Sequence, residues 1–139
     1  MNAMRRRLGR LATLLGAVAL LWACNAPFIP VPPPGASFSS ELWVDGAGVQ
    51  KTMWKTHGLP SQNAANAYFY IVNERLQTGV IVVAGPEGTY DSPAFDGMMD
   101  DRIRISYQSP TGDTYSDSLC LLLTTAVVAG GSAPLCPSP

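Results

Sequence analysis

From Ser37 to the C-terminus, clusters of Gly, Pro, Asn and Asp interrupt the chain every few residues. No apolar stretch between them keeps a helical period long enough for an ordinary helix. Short apolar or alternating runs at regular spacing are the signature of an all-β sandwich or barrel. The expected strands are 37–45, 48–56, 67–73, 80–85, 88–95, 102–108 and 115–124. The clearest is 102–108, where Ile103, Ile105 and Tyr107 alternate with Arg102, Arg104 and Ser106, so that one face is apolar and the other solvated. Residues 67–72, Ala-Tyr-Phe-Tyr-Ile-Val, are apolar at both parities, which predicts a central strand covered on both sides.

Turn chemistry connects these runs. Residues 73–79 form a turn-rich link into Val80–Ala84, which predicts a hairpin, and Asp45-Gly46, Pro86-Glu87-Gly88 and Thr111-Gly112-Asp113 mark further reversals. About seven strands in roughly 90 residues fit a single immunoglobulin-like antiparallel β-sandwich. The succession Ile-Val-Asn-Glu-Arg-Leu-Gln-Thr-Gly, then Gly-Pro-Glu-Gly-Thr-Tyr, then Asp-Asp-Arg-Ile-Arg-Ile resembles the immunoglobulin-like and carboxypeptidase-regulatory-like modules of exported bacterial proteins. The resemblance spans Ala67 to Leu123 and consists of turn residues, so it implies a fold and says little about activity.

The first 23 residues read as an address. Arg5, Arg6, Arg7 and Arg10 form a cationic stretch, and Leu11 to Ala23 carry no charge, as in a secretory signal peptide. That apolar run is shorter than the ~20 residues a membrane-spanning helix needs. The following Leu-Trp-Ala-Cys, Leu21 to Cys24, resembles the lipobox of bacterial lipoproteins, although Trp22 is larger than the residue usual at its position. The resemblance implies that Cys24 is acylated and becomes the mature N-terminus, anchoring the protein to a membrane; ordinary secretion with cleavage nearby is the alternative. Residues 24–36 contain five prolines and are expected to form an extended tether, leaving 37–139 as the sandwich domain. The absence of Asp at position 25 points, by analogy with enteric bacteria, to an outer-membrane lipoprotein facing the periplasm or cell surface.

The cysteine count fits the same scheme. With Cys24 consumed by lipid, Cys120 and Cys136 remain as a natural disulfide pair in an oxidising compartment. From Cys24 onward five basic residues face ten acidic ones, a net charge of −5, and this dispersed, acidic balance argues against nucleic-acid binding.

Chemistry is sparse. His57, the only histidine, lies in Thr-His-Gly-Leu-Pro, which reads as a surface loop, and no Gly-x-Ser-x-Gly elbow is present. No cofactor is implied. Asp91, Asp96, Asp100 and Asp101 group hard oxygens that suit calcium, but without the EF-hand order. Trp43 shares strand parity with Ser39 and Glu41 and is expected to face outward; Trp54 shares parity with Gln50, Thr52 and Thr56 and raises the same question, with a core position as the alternative. Met98 and Met99 are candidates for an adaptable contact surface. The expected function is a non-catalytic binding or structural module whose partner is another envelope protein or a glycan. The alternatives are a small hydrolase using His57 and a calcium-dependent glycan-binding or adhesion module.

Overall fold

The computed structural model describes residues 31–113 and 115–137. Cys24, the segment expected to be a signal peptide and most of the expected tether lie outside the described residues. The chain is all-β: two antiparallel sheets packed as a sandwich. In the first sheet β1 (Ala36–Val44) pairs with β2 (Gln50–Gly58), whose other side carries β5 (Tyr90–Asp91) and β6 (Phe95–Asp96). The second sheet runs β4 (Thr78–Val83), β3 (Tyr68–Asn73), β7 (Arg102–Gln108), β8 (Leu119–Leu122). A short 3-10 turn, Gln62–Ala64, bridges the sheets between β2 and β3. This order corresponds to strands A-B-E against C′-C-F-G of an immunoglobulin-like sandwich.

Alternation builds the core. Phe69 and Ile71 of β3 meet Ile103, Ile105 and Tyr107 of β7, and Leu121 of β8 on the inner face, while Phe38 and Trp54 enter from the opposing sheet. The ring of Phe69 lies 4.1 Å from that of Tyr90 and 5.4 Å from that of Tyr107, so the two sheets are joined by aromatic contact. The expected strand at 102–108 is observed with those bounds.

Three expectations are corrected. The run 88–95 is broken because Pro93 cannot donate to a ladder and the Ser92 hydroxyl accepts the Thr56 N–H in place of a backbone carbonyl. The run 115–124 contracts to Leu119–Leu122, with Tyr115 making only an isolated bridge to Gln108. The segment 67–72 is central within its sheet, between β4 and β7, but a two-layer sandwich covers only one face of it. Tyr68 therefore remains 43% exposed, and Val72 is exposed beside it.

Cys120 and Cys136 form the disulfide, with Cα atoms 5.4 Å apart. It fixes the C-terminal segment alongside β8, where Cys136 donates to the Cys120 carbonyl and Leu122 to that of Pro134. The same segment reaches the first sheet, because the Ala133 N–H donates to the Ala36 carbonyl.

Candidate functional site

The β1–β2 ladder continues unbroken from Ala36↔Gly58 to Val44↔Gln50. The opposing sheet does not reach that far. Phe38 points into the core, whereas Leu42 and Val44, of the same parity, lie beyond it, and Leu42 is 73% exposed. Val49 is exposed on the return strand. The tip is closed by Asp45, whose carboxylate accepts the N–H groups of Ala47 and Val49, and by Gly48 at φ 80°. The result is a hairpin arm with exposed apolar side chains. Trp43 lies on the other face of the arm, 53% exposed, as its parity predicts; its indole N–H donates to Glu41, which also pairs with Lys55.

At the base of the arm, Ser40, Thr52, Trp54, Gly97, Met98 and Met99 line a groove of about 330 Å³. An adjoining hollow of about 440 Å³ is lined by Lys51, Arg75, Leu76 and Asp96 together with the shared Thr52, Gly97 and Met98. Both methionines are exposed and form the lip. Trp54 takes the core position that was its alternative: it is 3% exposed and forms the groove floor, with its indole N–H donating to the Gly97 carbonyl at 3.1 Å. Gly97 lets the loop pack closely over the core, since a Cβ there would stand 2.4 Å from the end of the Leu123 side chain.

A buried carboxylate holds the methionine loop. Asp101 accepts hydrogen bonds from Arg75 Nε at 2.5 Å and Nη2 at 2.9 Å, from Asn73 Nδ2 at 2.7 Å and from the Met98 N–H at 2.9 Å. The Arg75 guanidinium, assisted by Asn73 and the Met98 amide, outweighs desolvation and holds the Asp101 pKa down at about 2. Asn73, itself buried, also accepts the N–H groups of Arg75 and Leu76, so one side chain shapes the β3–β4 turn and orients the clamp. Asp100 takes a left-handed conformation at φ 67°, which turns the chain into β7.

The four acidic residues proposed for calcium do not converge. Asp101 is committed to Arg75, Asp96 to Lys51 and Asp91 to His57, and Asp100 points into solvent. Among the described residues no three His, Cys, Asp or Glu side chains are grouped to hold a metal ion.

His57 departs from its sequence reading. It lies within β2, not in a loop, and its ring bridges Ser39 Oγ, 2.7 Å from Nε2, and Asp91 Oδ1, 2.5 Å from Nδ1. Ser39 comes from β1 and Asp91 faces His57 across the β2–β5 ladder, so three strands contribute one side chain each to the outer face of the sheet. With Nδ1–H donating to the carboxylate, Nε2 is free to accept the serine proton. Asp91 is 79% exposed, however, and water competes for each of these bonds. Ser39 was absent from the sequence candidates; the Asp45-Gly46 hairpin signal, with parity counted along both strands, is the feature that places it near His57.

Comparison of the chain with family models, curated proteins and solved structures gave no match.

Proposed function

We propose that this protein is a non-catalytic binding module of the bacterial cell envelope, a lipoprotein anchored through Cys24 and carrying an immunoglobulin-like sandwich on a proline-rich tether. The observation that supports this reading is the apolar arm with its methionine-lipped groove. Leu42 and Val44 are exposed on one side and Met98 and Met99 on the other, a concentration of apolar surface that marks contact sites in soluble domains. An apolar segment of another envelope protein fits the groove. Photo-crosslinking residues at positions 42 and 99, introduced into the full chain in its native membrane, are expected to capture the same adduct, with none from position 116. Equal capture at all three positions would refute the reading. Separately, an N-terminal peptide that begins at Cys24 with the mass of acyl chains is expected; an unmodified mass removes the anchor and leaves the groove to be judged alone.

A second reading rests on the Ser39–His57–Asp91 contacts, which have the connectivity of a hydrolytic triad. It calls for an activated Ser39. A fluorophosphonate probe is expected to label Ser39 in the wild type and not in His57→Ala, and failure to label wild-type protein dismisses it.

A further inference from the structure

At its tip the β1–β2 arm is apolar on both faces. Leu42 and Val44 project from one face. Trp43 projects from the other, joined by Val49, which closes the ladder opposite Asp45 and so shares the parity of Lys51. All four residues are more than half exposed. A protein docked on a two-stranded ribbon covers one face and leaves the second in water. A lipid layer surrounds a tip and meets both faces together.

The polar groups of the tip suit a shallow lipid contact. Asp45 is the only charged residue from Leu42 to Gln50. The turn meets the N–H groups of Asp45, Ala47, Gly48 and Val49 internally, those of Ala47 and Val49 at the Asp45 carboxylate. The Trp43 indole N–H is given to Glu41, nearer the base of the arm, and the charges behind the tip are paired, Lys55 with Glu41 and Lys51 with Asp96. What remains limits the depth. The bonds from Leu59 N–H to Gly35 and from Asp45 N–H to Val49 set the alternation of the ladder, so the backbone groups of Leu42 and Val44 face the free edge of β1. Those groups and the Asp45 charge are costly in hydrocarbon and stay hydrated among headgroups, the depth at which tryptophan is enriched.

We propose that the tip of the arm, Trp43, Val44 and Val49, rests in the headgroup layer of the membrane that holds the N-terminus. This rests on the anchoring through Cys24 proposed above and not on the groove, which lies behind the tip. The lengths of chain permit it. Pro33 is the first buried position among the described residues, and Cys24 stands nine positions before it, a span of at most about 30 Å. β1 has nine residues and is about 27 Å long. The reach of the tether therefore matches the length of the arm, and the tip meets the same bilayer that holds the anchor. Charge selects the lipid. The net charge of −5 from Cys24 onward, with Asp45 at the tip, is repelled by an anionic surface and tolerated by a zwitterionic one.

The test reconstitutes the full chain in phosphatidylcholine vesicles, with an environment-sensitive nitrobenzoxadiazole dye on Val49→Cys and wild type labelled alongside as the blank for Cys24. Flotation with the vesicles reports the anchor, and the dye reports the arm. Its emission is expected to shift to the blue and to be quenched by lipid that carries a nitroxide near the headgroup. The same dye on Thr111→Cys, exposed in the turn after Gln108 at the end of β7 away from the groove, is expected to keep its emission in water. Adding Trp43→Ser and Val44→Ser, both at exposed positions, is expected to abolish the shift and the quenching at position 49 with the thermal midpoint unchanged. Asp45→Asn keeps the acceptor of the turn without its charge and is expected to increase the quenching, whereas phosphatidylglycerol in the vesicles is expected to reduce it. A chain that does not float removes the anchor and the proposal together. A chain that floats with position 49 unquenched, or quenched no more than position 111, overturns the proposal and leaves the anchor standing. So does a blue shift that lipid does not quench, since protein then covers the arm.

Discussion

Protonating Asp101 dismantles the clamp on the methionine loop, and its cost follows from the geometry. The carboxylate is 7% exposed and accepts from Arg75, Asn73 and the Met98 amide, which together hold its pKa at about 2 against an ordinary 3.8. Because the folded value lies below the unfolded one, the unfolded chain takes up the proton first as pH falls. The stabilisation is therefore complete above about pH 5 and is lost through the interval down to about pH 2. A displacement of nearly two units corresponds to about 2 kcal/mol at neutral pH, of which about half has gone by pH 3. Other carboxylates titrate in the same range, so the informative quantity is the difference between wild type and Asp101→Asn. Urea unfolding followed by tryptophan fluorescence, with Trp54 as the buried reporter, measures that difference at pH 7, 5 and 3. The variant is expected to be about 2–3 kcal/mol less stable at pH 7, because Arg75 and the Met98 amide lose their charged acceptor. The gap should narrow by about 1 kcal/mol at pH 3. A gap that stays constant across the series would falsify the assignment of Asp101 as the charged centre of the clamp.

Gly88 has φ 76°, and a Cβ there would lie 2.0 Å from the Ser61 carbonyl oxygen, a backbone atom that cannot swing aside; Gly88→Ala should cost about 3 kcal/mol or more, and an unchanged melting temperature would contradict the turn. Thr56 is fully buried and its hydroxyl has no partner among the described residues, so the isosteric Thr56→Val is expected to stabilise by about 1 kcal/mol, whereas destabilisation in chemical unfolding would show that the hydroxyl is satisfied. Replacing Cys120 and Cys136 together with Ala opens a link of 16 residues and should cost about 3 kcal/mol, with faster amide exchange at Leu122, whose N–H the tail accepts; unaltered exchange would mean that the tail stays docked without the bond.

What the sequence made legible follows from where its faces differ. At Arg102–Gln108 every second residue is aliphatic or aromatic and the others are polar, so period two alone fixes both the strand and its buried side. At β2 neither parity is apolar: Gln50, Thr52, Trp54 and Thr56 share one side, and Lys51, Met53, Lys55 and His57 the other. The buried side proves to be that of Trp54 and Thr56, chosen by β1, which brings Phe38 opposite Thr56 and so sets the inner face of the hairpin. A strand with two polar faces carries no record of its orientation; its neighbour in the sheet supplies it.

The site was harder to read for a related reason. Exposure of Leu42 and Val44 depends on where the opposing sheet stops, which is a property of two layers and not of the strand that carries them. Their parity is that of core residues, and on β1 alone they are indistinguishable from Phe38. Ser39, His57 and Asp91 are separated by 18 and 34 residues and meet only through ladder register. The acidic run misled in the opposite sense. Asp96, Asp100 and Asp101 are close in sequence, yet the turn before β7 sends one carboxylate to Lys51, one to solvent and one to Arg75. Proximity in sequence does not by itself bring carboxylates to one point; the path of the turn decides. At Asp100 the left-handed backbone turns the chain, so Asp96 and Asp101 became separate structural contacts and Asp100 was left to solvent.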